Sequence, residues 1–326
     1  VNDTLAASAG KPGSTPDSTV PKYGASLVVP VQPDLDGRLT LLIQVANFTY
    51  PKGGINNAFE LGDAKQLQLE KSKELVRDSL VIGSLLVIAV YHIILYMLRR
   101  NDVTPLYFGL FCICIAVRTM LVGSRFVLEV FPAFSWEWFA KASYLTIYVG
   151  EFFLISYIYH LFPQFLSRKV WRLTQLFTMG LTVLVLTTRI RVYDYSLIPF
   201  QIYSIGLVLY AVYASIRLAR QRQEGAVLLI LGFSLIFLTA VNDTLNRNGV
   251  LATPALLQFG VLGFVFLQAL LLSMKFSRAF SQVERLSERL LTLDKLKDEF
   301  LAKTSHELRT PLHGIIGLAD ALIDGS

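Results

Sequence analysis

Residues 79–98 read SLVIGSLLVIAVYHIILYML, about twenty positions with no Asp, Glu, Lys or Arg. A helix rises about 1.5 Å per residue, so a run of this length crosses the roughly 30 Å hydrocarbon core of a bilayer. Apolar residues fill every face of the run instead of alternating, which excludes the strands of a membrane barrel. Six further apolar runs follow, at 104–122, 142–161, 173–188, 196–216, 226–241 and 255–274. Those at 173–188 and 226–241 are short for a span, but Arg172, Arg189 and Arg222 at their ends can snorkel to the interfaces and extend their reach. The expected fold is mainly α and integral to the membrane, with a seven-helix transmembrane bundle over residues 75–275.

Composition points the same way. The chain has 326 residues, 53% of them hydrophobic and 17% charged, with a mean hydropathy of +0.52. A purely soluble globular protein is excluded. The net charge of +6 comes from basic residues that sit beside the apolar runs and form no stripe, so nucleic acid is not an expected partner and the lipid bilayer is. Cys112 and Cys114 fall within one apolar run, two positions apart and about 200° around a helix. They cannot share a ligand, and they read as buried thiols. No metal site is expected.

Seven spans put the two termini on opposite sides. With the C-terminus inside, the inner connections carry Arg99, Arg100, Arg168, Lys169, Arg172, Arg217, Arg220, Arg222, Lys275 and Arg278, and the outer ones carry Arg125, Lys141, Arg189, Arg191 and Arg247. Lys71, Lys73 and Arg77 before the first run narrow the margin to ten against eight. The positive-inside rule therefore places the N-terminus outside and the C-terminus in the cytoplasm. Trp136, Trp138, Phe131, Phe134 and Phe139 in the longest outer connection suit a membrane interface.

Ahead of the first span, residues 1–24 are rich in Gly, Pro, Ser, Thr and Ala and read as a flexible arm. Residues 25–31 and 38–48 have strand-type composition around the turn former Pro33-Asp34-Leu35-Asp36-Gly37, and Pro51-Lys52-Gly53-Gly54 closes the segment. Residues 25–74 are thus expected to be the last part of an extracytoplasmic β domain, since two strands alone are marginal in water.

Beyond the last span, Val283, Leu286, Leu290 and Leu293 recur at intervals of three and four among charged residues. This short heptad seam predicts a parallel homodimeric coiled coil over 276–297. Leu296 arrives where a regular heptad would place Lys297, so the seam changes phase before Phe300. Either the irregularity is tolerated or two packings compete there.

Residues 298–326 carry the chemistry. Leu301, Thr304, Leu308, Leu312, Ile315, Ile316, Ala319 and Leu322 form one apolar stripe at helical spacing. His306 lies about 200° from Thr304 and Leu308 and is presented to solvent, with Glu307 beside it and Thr310 four residues on along its own face. An exposed imidazole can act as a nucleophile through one nitrogen if a base takes the proton from the other, and Glu307 is the adjacent candidate. Pro311 removes a backbone donor and should kink the helix one turn later. This geometry permits a phosphoacceptor without establishing one.

The string Phe300-Leu-Ala-Lys-Thr-Ser-His306-Glu307-Leu-Arg-Thr310-Pro311-Leu resembles the H-box of bacterial two-component sensor histidine kinases. The resemblance implies that His306 is autophosphorylated, that Glu307 is the general base and that Thr310 positions water in phosphatase reactions. It implies a truncated phosphoacceptor and dimerisation domain over 298–326, with a response-regulator receiver domain as partner. It also implies ATP and Mg in a catalytic domain, which this stretch lacks, so the chain alone is expected to be inactive. Residues from about 38 to 274 resemble the seven-transmembrane receptors with diverse intracellular signalling modules. Leu42-Ile-Gln-Val-Ala-Asn-Phe48 with Gly53-Gly54, Leu75-Val-Arg-Asp-Ser-Leu-Val-Ile-Gly83 through Tyr91-His92, and Leu106-Tyr-Phe-Gly109 carry that likeness. It implies a jelly-roll sensor for an extracytoplasmic signal, a carbohydrate-like small molecule or an ion, and a protein of the bacterial inner membrane. The sensor is cut to its final strands, so ligand residues are not carried over.

Arg118 and Glu151 lie inside the second and third runs, where charges are costly and usually paired or cavity-lining, and their similar depths make an intramembrane pair one reading. His92 and His160 read as core or interfacial residues. Two functions compete with a sensor kinase: a non-enzymatic receptor that accepts phosphate from, or dimerises with, a complete kinase, and a seven-helix transporter in which the H-box is an accident.

Overall fold

The computed structural model describes residues 1, 5–22, 28–48, 50, 60–122, 124–131, 133–164, 166–220, 225–247, 250–251, 253, 256–323 and 325. Its helices are α1 (Ala64–Leu98), α2 (Thr104–Val122), α3 (Phe126–Val130), α4 (Trp136–Leu161), α5 (Arg168–Thr187), α6 (Ile190–Tyr193), α7 (Leu197–Arg220), α8 (Ala226–Arg247) and α9 (Leu257–Ile323), with one 3-10 turn, Asp194–Ser196. The chain divides into two compact units, Val1–Ala269 and Leu270–Ser326.

Three of the helices, α1, α5 and α9, start where a side chain takes orphan amides of the first turn. Asp63 accepts from the backbone N–H of Lys65 and Gln66, each at 3.0 Å, at the head of α1. Ser167 accepts from Val170 at 3.3 Å in α5. The cap of α9 comes from another element: Asp243 of α8 accepts from Leu256 at 2.7 Å and from Leu257 at 3.1 Å.

Five helical stretches among the described residues are long and apolar enough to cross a membrane: Ala64–Leu98, Thr104–Val122, Arg168–Thr187, Ile190–Ala214 and Leu257–Asp320. In α8 the apolar part is the shorter Val227–Asp243. The run expected to be short at 173–188 gains a turn at its start, because Ser167 caps it before Arg168. The run at 142–161 sits inside α4, a 26-residue helix, where Glu151 and the tyrosines Tyr144, Tyr148, Tyr157 and Tyr159 lower its apolarity. Helix and span are separate properties here.

In the first unit α1 packs on α2, α2 on α4 and α4 on α5. Leu85, Ala89, Phe108, Cys112 and Tyr157 are fully enclosed. Close approach needs small residues, as between membrane helices generally. A Cβ on Gly109 would lie 3.0 Å from the carbonyl of Ala89, and one on Gly260 would lie 2.0 Å from Oγ1 of Thr239. Leu80, Val87, Leu176 and Val183 point outward and are at least half exposed, which suits lipid contact and no aqueous surface. Cys112 is buried, Cys114 half-buried, and both are free thiols.

The extramembrane segments depart from expectation. Among the described residues, 28–31 and 38–48 form no strand, because a strand exists only where a ladder partner accepts its hydrogen bonds and neither stretch meets one. The turn between them does form: the N–H groups of Asp36 and Arg38 both reach Oδ1 of Asp34 at 3.0 Å, and Gly37 takes φ 73°, the left-handed region that glycine allows. The turn expected at Pro51-Lys52-Gly53-Gly54 lies outside the described residues. Within the stretch read as a flexible arm, Lys11 and Val20 form an antiparallel bridge, with N–H to carbonyl distances of 3.0 and 2.9 Å.

In the second unit the seam residues Val283, Leu286, Leu290 and Leu293 are each more than half exposed, as are Leu308, Leu312 and Ile315 further on. The helix runs through Pro311 without a break. Since Pro311 carries no N–H, the carbonyl of Glu307 loses its usual intrahelical donor there.

Candidate functional site

His306 stands on α9 with its imidazole exposed. The other three histidines of the chain each bring Nδ1 to the carbonyl four residues back: His92 to Ile88 at 2.8 Å, His160 to Ser156 at 2.8 Å and His313 to Arg309 at 3.2 Å. His306 makes no such bond, so both of its ring nitrogens are open. Thr310 donates from Oγ1 to the His306 carbonyl at 3.3 Å, which holds its hydroxyl on the face that carries His306. Glu307 is exposed beside it. Neighbouring positions on a helix diverge by about 100°, and the structure gives no hydrogen bond between the two side chains. The expected trio therefore lies within about one exposed turn, with the carboxylate not hydrogen-bonded to the ring.

His92 and His160 occupy packed positions. His92 is buried and meets Phe108 edge-on, with ring centroids 4.7 Å apart. His160 lies 5.2 Å from the Tyr107 ring and 6.1 Å from that of Trp171. Among the described residues no group of three or more His, Cys, Asp or Glu could hold a metal ion.

Arg118 and Glu151 form no ion pair. Nη1 of Arg118 donates to the carbonyl of Ser143 at 3.3 Å, and Oε2 of Glu151 accepts from Oγ of Ser204 at 2.9 Å. Both charges nonetheless line one cavity of about 330 Å³ between α2, α4, α7 and α8. Each is bonded elsewhere, Arg118 to a carbonyl on α4 and Glu151 to a hydroxyl on α7.

A second polar cluster, which the sequence reading missed, ties the segment before α1 to the helices. Oδ1 of Asp194 accepts from Oη of Tyr144 at 2.5 Å and from Oη of Tyr50 at 3.2 Å. Arg191 donates to the carbonyl of Phe48, and Tyr148 shares a hydrogen bond with Ser196 at 2.8 Å. Asp78 is likewise buried and accepts from the N–H of Ser124 at 2.7 Å. Carboxylates beside apolar runs were the available signal; their partners lie 46 to 144 positions away in sequence, a distance no local pattern spans.

Comparison with known proteins matches residues 74–275 to the family described as 7TM diverse intracellular signalling. Residues 296–326 match the His Kinase A (phospho-acceptor) domain. Among curated proteins the chain is similar to a probable histidine kinase 4 of Oryza sativa subsp. japonica, with 44% identity over 43 residues, covering 13% of this chain and 4% of that protein. No solved structure matches.

Proposed function

Since the chain belongs to the 7TM diverse intracellular signalling family and carries a phosphoacceptor segment in the later part of its last helix, α9, we propose that it is the membrane and phosphoacceptor part of a sensor histidine kinase. Seven helices, α1, α2, α4, α5, α7, α8 and α9, cross the bacterial inner membrane, with the N-terminus outside and His306 in the cytoplasm. The charge asymmetry of the connections supports this orientation. An extracytoplasmic signal acts on the segment held by Asp194 and shifts helix packing, and a dimeric coiled coil over 276–297 alters the presentation of His306.

The observation that carries the reading is the state of the His306 imidazole, which alone of the four is both exposed and without a hydrogen bond. In the proposed reaction Nε2 attacks the γ-phosphorus of ATP held by a catalytic domain. An N–P bond forms as the bond from that phosphorus to the bridging oxygen breaks, ADP leaves with the electron pair, and the Nδ1 proton passes to Glu307. The phosphoryl group then moves to an aspartate of a receiver domain, and the imidazole leaves and recovers a proton. Thr310 positions water when the partner regulator is dephosphorylated. ATP and Mg would be bound by the catalytic domain.

The test supplies the chain, in vesicles, with labelled ATP, the catalytic domain of a histidine kinase and a receiver domain. Transfer of label to the receiver through the wild-type chain, and none through His306→Gln, is the expected result. Equal transfer through the variant would overturn the proposal.

A further inference from the structure

The cavity between α2, α4, α7 and α8 has no part in phosphoryl transfer, yet it has the attributes of a ligand site. Its volume of about 330 Å³ falls in the range of small-molecule pockets. The walls are mostly apolar, with Phe111, Ile147, Leu154 and Phe233 among them, and the polar groups are few and convergent. Oε1 of Glu151 is buried there with no hydrogen-bond partner, although Oε2 is held by Ser204. An orphaned carboxylate oxygen in an apolar wall costs free energy until a donor meets it. Arg118 spends one nitrogen on Ser143, and it too lines this space with further N–H donors in its fork.

The two charges sum to zero, so a ligand with net charge gains nothing overall. What the cavity asks for is a donor for Glu151 and an acceptor for Arg118 on one apolar body. Access decides between an uncharged and a zwitterionic molecule. Val208 lines the cavity and is also 57% exposed on α7, on the surface read as facing lipid, so the cavity opens toward the bilayer. A zwitterion entering from that side would shed the hydration of two charges, whereas a hydroxyl and a carbonyl shed much less.

The geometry points to an intramembrane binding site for an uncharged amphiphile whose head carries a hydroxyl donor for Glu151 and a carbonyl acceptor for Arg118, as a monoacylglycerol does. Such a site would let the helices respond to a membrane-borne molecule independently of any signal at the outer segment.

The experiment photolabels the full chain in phosphatidylcholine vesicles with a diazirine-bearing decanoylglycerol and maps the adducts by mass spectrometry. Expected is saturable labelling on α4 and α7 near Glu151 and Ser204, competed by unlabelled decanoylglycerol and not by phenylalanine. Glu151→Leu should weaken labelling about tenfold, the scale of one buried hydrogen bond. Ala211→Trp, which fills the cavity from α7, should abolish it, and both variants should keep the wild-type elution profile in detergent. If a variant does not, Ser204→Leu takes its place. Labelling that never saturates and spreads evenly over outward residues such as Ile198 and Leu209 would mean bulk lipid only and overturn the proposal. Competition by phenylalanine, or no labelling, would overturn it equally.

Discussion

Tyr50 donates from Oη to Oδ1 of Asp194 at 3.2 Å, joining residues 144 positions apart. The same oxygen holds Tyr144 at 2.5 Å, so the segment ahead of the first helix, the turn after α6 and the helix α4 meet on one carboxylate atom. Displacing the segment ahead of the first helix would pull on α4 through this atom. Tyr50→Phe removes the bond to Asp194 and keeps the ring. Hydrogen exchange at the amide of Tyr50 should speed up about tenfold, matching the loss of roughly 1.4 kcal/mol for a bond to a carboxylate. Unchanged exchange would show that the bond does not restrain the segment.

Orientation is tested by fusion. A reporter active only in the periplasm, placed after residue 326, should give no signal, while the same reporter placed before the first helix gives a strong one. Activity at the C-terminal position would reverse the topology and take His306 away from cytoplasmic ATP.

The long helices were legible because hydropathy over about twenty residues is a bulk property that survives ignorance of every contact. The H-box was legible because its residues are contiguous, and α9 presents them as helical spacing requires. What could not be read depended on partners remote in sequence. Arg118 and Glu151 looked like a pair from depth alone, and only the placement of Ser143 and Ser204 shows why they are separate. Residues 38–48 have strand composition, yet composition supplies no ladder. Asp194 was passed over because its meaning comes from Tyr50 and Tyr144.

The leucine seam makes its own prediction. Val283, Leu286, Leu290 and Leu293 are left exposed in the single chain, and a second copy is the partner that a heptad seam fits. Leu286→Cys should give a disulfide-linked dimer under mild oxidation in membranes. Glu288→Cys, about 200° away on the helix, should give at least tenfold less. Equal yields would mean random collision and no seam.

Roles around the phosphoacceptor separate by rate. Glu307→Gln should slow labelling of His306 by roughly 100-fold, the effect of a positioned general base. Thr310→Ala should label normally and fail to dephosphorylate the partner regulator. A Glu307→Gln variant labelled at the wild-type rate would remove the base from the mechanism, and a fully active phosphatase in Thr310→Ala would remove the hydroxyl.

The most direct measurement is to locate the phosphoryl group itself. The chain is incubated with ATP and a histidine kinase catalytic domain, digested at neutral pH where phosphohistidine survives, and mapped by mass spectrometry. His306 and His313 lie on the same helix and are both exposed, but Nδ1 of His313 is engaged with Arg309 and that of His306 is free. The modification is predicted on His306 alone and is lost in His306→Gln with His313 intact. Phosphate on His313, persisting in His306→Gln, would contradict the account.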